Sequence, residues 1–258
     1  MKHKSGNTPA RCPMRTAVIA DIHANLEALT AVLEGIKRLK ADEIVCLGDV
    51  VGYNANPNET IDILRREKII CVLGNHDVCA AGLEEPENFN PSARAAVLWT
   101  RGRLSGENRR FLAHLPREQR VRDMFLFHGS IHDTDRYLLT RADAADNFRL
   151  LAGLAGPLFI GFFGHTHVRT ILSEQYGVIS TSLLREDVEL LPGKHYLINP
   201  GSVGQPRDGD PRAAFLIYDD GDRRAAFHRV EYDIRTCQDK IIAAGLPPRL
   251  AERLAWGR

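Results

Sequence analysis

Seven side chains that are common metal ligands lie in short polar motifs between residues 21 and 167. They are two carboxylates, one amide and four imidazoles: Asp21, His23, Asp49, Asn75, His128, His165 and His167. Imidazole and oxygen ligands together suit divalent ions such as Mn, Fe, Zn or Ni. Seven ligands exceed the four of a tetrahedral zinc site, so they predict two ions that share one bridging carboxylate. Asp49, which has no neighbouring ligand, can bridge.

The spacing of these residues indicates what chemistry they could perform. Asp21 and His23 are two residues apart, as are His165 and His167, so in an extended segment each pair faces the same way. Two ions about 3.5–4 Å apart can clamp a phosphoryl group and hold a hydroxide that attacks phosphorus. The predicted reaction is therefore hydrolysis of a phosphoester, and we favour phosphodiesters.

Each motif follows a short apolar run that reads as a β-strand. The runs cover 17–20, 44–47, 69–73, 124–127 and 158–163. Helical periodicity separates the first three runs, with Asn25 as a predicted N-cap and Pro57 in the first turn of a helix over 57–67. This alternation predicts an α/β fold with a mainly parallel sheet. Because functional groups gather outside the carboxyl ends of parallel strands, we expect all seven side chains at one edge.

The rest of the chain follows other patterns. Residues 1–13 are polar and are predicted to be a disordered tail, and residues 14–258 to be one domain. Residues 80–118 form a helical insertion near the site, with helices over 92–101 and 105–114 capped by Ser92 and Ser105. A helix is expected over 143–153, followed by antiparallel strands from 168 and a helical tail over 233–256.

Composition excludes several classes of partner. The chain has 258 residues and a net charge of +1, from 34 basic and 33 acidic residues, so we expect no long nucleic acid as partner. No apolar run reaches the roughly 20 residues of a membrane-spanning helix, and no pattern indicates an oligomeric state. The five cysteines form no C-x-x-C motif, which favours a reducing compartment and a cytoplasmic location. The expected partner is a small phosphoester substrate.

Each motif also has an ordinary structural explanation when it is taken alone. Asp21-x-His23 is typical of a turn before a capped helix. The residues around Asn75 are typical of a turn that is held by side-chain hydrogen bonds. A single histidine such as His128 is usually a buried residue with a satisfied hydrogen bond. These explanations fail jointly, because five independent motifs would all have to fall at strand ends.

The motifs resemble those of the calcineurin-like metallophosphoesterases. D-I-H-A-N at 21–25, G-D-V-V-G-Y at 48–53, G-N-H-D at 74–77, H-G-S at 128–130 and G-H-T-H at 164–167 occur in the family's order. The resemblance spans about residues 17–219. The segment 199–207, N-P-G-S-V-G-Q-P-R, is similar to one in the small bacterial and archaeal phosphodiesterase branch.

The resemblance implies a fold and a role for each residue. The implied fold is two packed mixed β-sheets flanked by helices, a four-layer αββα sandwich. Asp21, His23 and His167 would hold one ion, Asn75, His128 and His165 the other, and Asp49 would bridge them. His76 would be catalytic without binding metal, either stabilising charge or protonating the leaving oxygen. Arg207 is a candidate for binding a substrate phosphate, and an exposed arginine in a turn is the alternative.

Two other functions are compatible with the same fold. Some chains of this fold are protein-binding scaffolds with an impaired metal site, whereas every ligand position here carries a competent residue. A Ser/Thr-type protein phosphatase needs longer insertions around its groove, and 80–118 is the only sizeable candidate. The sequence therefore favours a small-substrate phosphoesterase.

Overall fold

A computed structural model describes residues 12–154, 159–182 and 187–258. The strands in these ranges are β1 (Arg15–Ile19), β2 (Glu43–Cys46), β3 (Ile70–Cys71), β4 (Glu118–Val121), β5 (Met124–Phe127), β6 (Ile160–Phe162), β7 (Thr170–Gln175), β8 (Val178–Ser182), β9 (Val188–Glu189), β10 (His195–Asn199), β11 (Ala213–Asp219) and β12 (Arg224–Val230). Most of the predicted tail, residues 1–11, and residue 158 of the predicted strand 158–163 lie outside the described residues.

The helices of the described ranges are α1 (Leu26–Arg38), α2 (Pro57–Arg66), α3 (Asn75–Ala81), α4 (Pro91–Arg103), α5 (Gly106–Ala113), α6 (Arg141–Gly153), α7 (Ile234–Ala243) and α8 (Pro248–Glu252). A 3₁₀ turn, Arg253–Trp256, follows α8. Asn25 caps α1 as predicted, since its side-chain oxygen accepts from Ala28 N at 3.0 Å. Among these helices, none is both long enough and apolar enough to cross a lipid bilayer.

The strands form two six-stranded mixed sheets. The first has the order β3-β2-β1-β11-β12-β9 and the second β4-β5-β6-β10-β7-β8. In the first sheet β1, β2 and β3 are parallel, and in the second β5, β6 and β10 are parallel. The seven predicted ligands lie in the segments that follow the carboxyl ends of these parallel strands, six of them in loops and Asn75 as the first residue of α3.

Three apolar layers hold the sandwich together. The two sheets pack face to face through residues such as Val18, Leu126, Phe162 and Leu216. A second layer lies between the first sheet and helices α1 to α5, and a third between the second sheet and α6. Burial of these side chains is the main force that fixes the layers, at about 25 cal/mol per Å² of apolar surface. The predicted four-layer αββα fold is confirmed.

Some predicted elements were wrong in detail. Helix α4 begins at Pro91 and its N-cap is Asn90, not Ser92, because Asn90 Oδ1 accepts from the main-chain N–H groups of residues 92 and 93. Helix α3 and strand β4 were not predicted. Within the described ranges β4 is an edge strand that pairs with β5 alone. Its sequence is polar and lacks the apolar alternation by which strands are identified.

Candidate metal centre

The loops that carry the predicted ligands share an unusual backbone conformation. Five of the seven ligand residues have a positive φ: Asp21 at 54°, His23 at 50°, Asp49 at 51°, His165 at 65° and His167 at 59°. Non-glycine residues rarely adopt this left-handed region, and such strain concentrates at functional sites. The surrounding hydrogen bonds must therefore hold these turns in place.

The first group of ligand atoms comes from Asp21, His23, Asp49 and His167, which are all buried. His23 Nδ1 lies 3.1 Å from Val51 O, and His167 Nδ1 lies 2.6 Å from Gln205 O. A carbonyl only accepts, so both Nδ1 atoms donate, and in the neutral rings both Nε2 atoms carry lone pairs. These Nε2 atoms lie 3.1 Å apart. Two converging lone pairs cannot bond to each other, but they suit a cation.

The second group comes from Asp49, His128 and His165, which are also buried. His128 Nδ1 faces Leu47 O at 2.8 Å, and His128 Nε2 lies 3.2 Å from Asn75 Oδ1. His165 Nε2 faces the carbonyl of Asp135 at 3.1 Å, which leaves its Nδ1 as the free acceptor. His128 and His165 thus lie together with Asp49, and Asn75 joins them through its contact with His128.

Asp49 belongs to both groups. Its Oδ2 lies 3.5 Å from His23 Nε2 and 3.3 Å from His128 Nε2. Its Oδ1 accepts the main-chain N–H of His76 at 2.9 Å. One carboxylate oxygen is thus held in position while the other lies between the two ligand sets, which is the arrangement a bridging ligand requires.

The electrostatics of the buried groups also fit bound cations. Burial raises the pKa of Asp21 to about 7, and its Oδ2 has no hydrogen-bond partner among the described residues. Burial opposes protonation of His128, but the charge of Asp49 raises the pKa of His128 to about 9. Burial lowers the pKa of His165 to about 3. Positive charge is favoured beside Asp49, and the donor set fits divalent metal ions.

His76 lies beside the ligands without joining either group. Its ring contacts His23 edge-on with centroids 4.9 Å apart, and Tyr53 and Phe89 also pack against it. Its Nδ1 is buried and has no partner in the described part of the chain. Burial lowers the pKa of His76 to about 4. A neutral imidazole at this point can donate a hydrogen bond to a bound molecule.

A small pocket of about 140 Å³ opens onto this cluster. It is lined by ligand residues, by His76 and by Phe89, Asn90, Tyr137 and Arg207. Phe89 and Asn90 belong to the predicted insertion 80–118, so that segment reaches the site. Arg207 Nη2 lies 3.3 Å from Tyr53 Oη and donates to Gln205 Oε1 at 3.0 Å. Arg207 is therefore at the pocket and not on an open turn.

Two residues support the ligand loops: Asp77, for which the sequence favoured a supporting or turn role, and Asn199, for which it assigned none. Asp77 accepts the main-chain N–H groups of Val50, Val51 and Gly74 at 3.0–3.2 Å, which ties the loop after β2 to the loop after β3. Asn199 donates to Gly164 O at 2.6 Å, at the start of the His165 loop. Such partners orient metal ligands.

Two more residues of the site carried no sequence signal. The ring of Tyr137 packs on His165 with centroids 3.9 Å apart, and Asp135 supplies the carbonyl that faces the same histidine. Both lie in a loop without a motif between β5 and α6. The segment 199–207 was noted for its resemblance, but only Arg207 in it was assigned a role.

The chain matches a known family and a known protein. The Calcineurin-like phosphoesterase superfamily domain matches residues 14–221. The chain is 39% identical over 246 residues to an uncharacterized protein of Methanocaldococcus jannaschii, covering 94% of this chain and 98% of that protein.

Solved structures agree with this relationship. A crystal structure of a metallophosphoesterase from Sphaerobacter thermophilus is 38% identical, with a TM-score of 0.82, and covers 95% of this chain and 100% of that one. A hypothetical protein of Pyrococcus horikoshii shares the fold at 22% identity and a TM-score of 0.77, over 95% and 98% of the chains. On these matches and on the buried Asp/His cluster, the chain belongs to the calcineurin-like phosphoesterase superfamily.

Proposed function

We propose that this chain hydrolyses a small phosphodiester or nucleotide at a centre that holds two divalent metal ions. The observation that carries the proposal is that Asp49 Oδ2 lies between two converging ligand sets. Asp21, His23 and His167 would hold one ion, and Asn75, His128 and His165 the other, with Asp49 shared. When bound, such ions polarise the phosphoryl oxygens and lower the pKa of water enough to supply a nucleophile.

The protein's own residues would orient the substrate and assist its leaving group. His76 lines the pocket, and its Nδ1 is buried against Gly52. Its imidazole would donate a hydrogen bond to a phosphoester oxygen, which would stabilise charge or carry a proton to the leaving oxygen. Its main-chain N–H is fixed on Asp49, so its position is coupled to that of the shared carboxylate.

The walls of the pocket support a small substrate. Phe89, Asn90 and Tyr137 line the pocket, whose volume is about 140 Å³. The near-neutral net charge of +1 gives no overall positive field of the kind that attracts a polymer with many phosphates. These observations favour a small phosphoester over long nucleic acid or a phosphoprotein.

A substrate panel tests the proposal. The metal-loaded protein would be assayed on an aryl phosphodiester, mononucleotides, cyclic nucleotides, dinucleoside polyphosphates, a long single strand and a phosphopeptide. We expect turnover of small phosphoesters and little of the last two. Processive, strongly salt-dependent cleavage of the long strand would contradict the substrate size. Metal binding without turnover of any substrate would favour the scaffold alternative.

A further inference from the structure

A second, larger cavity adjoins the pocket over the ligands. Its volume is about 590 Å³. Four residues line both spaces: Tyr53, Asn90, Tyr137 and Arg207. A molecule bound in the small pocket can therefore extend into the larger cavity without leaving the protein surface.

Arginine dominates the lining of this cavity. Arg207, Arg249, Arg253 and Arg258 line it, and within the described ranges no Asp or Glu does. The hydrogen bonds of these side chains include those of Arg207 to Tyr53 Oη, Tyr137 and Gln205 Oε1, and that of Arg253 Nε to the main-chain oxygen of Arg258. In the described structure none of the four forms an ion pair with an Asp or Glu side chain.

Other arginines of the chain show that this lack of partners is not general. Arg229 pairs with Asp208, and Arg212 pairs with Asp210 at 2.7 Å. By contrast, Arg207 Nε is buried with no hydrogen-bond partner among the described residues. Burial, and then the positive charge of Arg207, lower the pKa of Arg253 to about 10. Clustered, partly buried like charges are unfavourable unless an anion offsets them.

We propose that this cavity, defined by Arg207, Arg249 and Arg253, binds a second phosphate group of the substrate. The substrate would then be a phosphoester that carries a further phosphate besides the one hydrolysed. The planar guanidinium group presents paired N–H donors that match phosphate oxygens, which makes arginine well suited to this role. The inference rests on the proposed function for the phosphate that lies over the metal ligands.

Two of these arginines, Arg249 and Arg253, lie outside the part of the chain that the superfamily model matches. The superfamily domain matches residues 14–221, whereas Arg249 and Arg253 lie in α8 and the 3₁₀ turn that follows it. These elements are held by a separate apolar cluster that includes Leu250, Leu254 and Ala96 of α4. The shared domain thus carries the ligands, and the C-terminal segment would set the preference for a second phosphate.

The first test measures binding without hydrolysis. Inorganic tripolyphosphate is titrated calorimetrically into the full chain after chelation of metal ions, so that bound metal does not compete for the anion. We expect Arg249→Gln/Arg253→Gln to raise the Kd at least tenfold. Ser92→Glu should act similarly, because it places a carboxylate in the cavity. Ser92 lies in the first turn of α4, where negative charge favours the helix, so folding is preserved. Arg109→Gln/Arg110→Gln, on exposed α5 positions, is the matched control.

The second test measures selectivity. A dinucleotide with one phosphodiester is compared with the same dinucleotide carrying a 5′-terminal phosphate, and the ratio of their kcat/KM values is recorded. The double variant should lower this ratio at least tenfold relative to the control. Equal tripolyphosphate Kd values in all variants, or an unchanged ratio, would overturn the inference. The two proposals can also fail separately. If the wild-type protein cleaves neither dinucleotide nor any other phosphoester, the proposed hydrolysis is refuted. If the double variant then still binds tripolyphosphate at least tenfold more weakly than wild type, the anion site is supported.

Discussion

His76 leaves no room for a side chain at position 52. A Cβ atom on Gly52 would lie 2.4 Å from His76 Nδ1, and Gly52 has a φ of +96°. The glycine therefore serves both the turn after β2 and the position of the imidazole.

Gly52→Ala should displace His76 and lower kcat by about 10²-fold, since an error of about 1 Å in a catalytic group has this effect. Metal content should be unchanged. The matched control is Gly177→Ala, at φ +79° with open space around it, which carries similar backbone strain far from the ligands. The measurement is kcat from steady-state kinetics of both variants. Equal kcat values in the two variants would contradict the steric argument.

His76→Ala should keep both metal ions and lose about 10²–10⁴-fold in kcat, the usual contribution of a general acid. If His76 protonates the leaving oxygen, the loss should shrink for aryl phosphodiesters with acidic leaving groups. A loss independent of the leaving group would indicate charge stabilisation instead. His114→Ala, at an exposed histidine, serves as control, and loss of metal from the His76 variant would disprove the division of roles.

The sharing of Asp49 predicts the metal content of the chain. Elemental analysis after mild reconstitution should show close to two equivalents per chain, and Asp49→Asn should reduce both the content and the melting temperature. Metal bound only to the folded state stabilises it by about 2.7 kcal/mol at one hundred times its Kd. Asp239→Asn, on an exposed face of α7, should match wild type. One equivalent in wild type, unaffected by Asp49→Asn, is the result that excludes two ions.

Asp77→Asn should destabilise the fold although the two side chains have the same shape. The asparagine NH₂ group cannot accept from the main-chain N–H groups that Asp77 now binds. A buried donor without a partner costs about 1–3 kcal/mol, or roughly 2–12 °C in melting temperature for a domain of this size. Asp222→Asn, at an exposed position, controls for the loss of charge. An unchanged melting temperature would show that Asp77 does not hold the loops.

A protein that begins at Met14 should fold and turn over like the full chain. Met14 N donates to Asp220 Oδ1 at 2.6 Å, and β1 starts one residue later, so removal of residues 1–13 spares the first sheet. Melting temperature and kcat/KM are the measurements. A drop of more than about 5 °C, over 1 kcal/mol by the usual conversion, would show that the removed residues contribute to the fold.

Strand direction explains only part of how the ligands meet. Asp49 and His128 are 79 positions apart, and each follows a strand that runs parallel to a neighbour, β2 in the first sheet and β5 in the second. Parallel strands gather the ligands of one sheet at its edge. The expectation of one mainly parallel sheet with all seven ligands at one edge was wrong, because the ligands come from two mixed sheets and the packing of these sheets brings them together. Arg207 was predicted near the site only as one of two alternatives, since no strand end fixes its direction.

The remaining features depend on long-range contacts that a local pattern does not contain. The left-handed turn at His167 is held by the contact of its Nδ1 with the carbonyl of Gln205. Gly204 packs so closely on Ile22 that a Cβ atom added to Gly204 would lie 1.8 Å from the carbonyl oxygen of Ile22. The packing of Tyr137 on His165 likewise joins two loops that share no sequence motif. Propensity and periodicity describe neighbours along the chain, so they do not report these contacts.

The pairing of β1 has a consequence for how the protein is made. β1 lies between β2 and β11, so one side of this central strand pairs with residues 216–219 of β11. The main-chain oxygen of Asp21 is in turn held by Ser202 Oγ and Gly204 N. A ribosome has therefore to synthesise about four fifths of the chain before the first ligand turn can be fixed, because such non-local pairing forms late. We expect metal uptake to follow synthesis, and a nascent chain shorter than this to expose both edges of its first strands to aggregation.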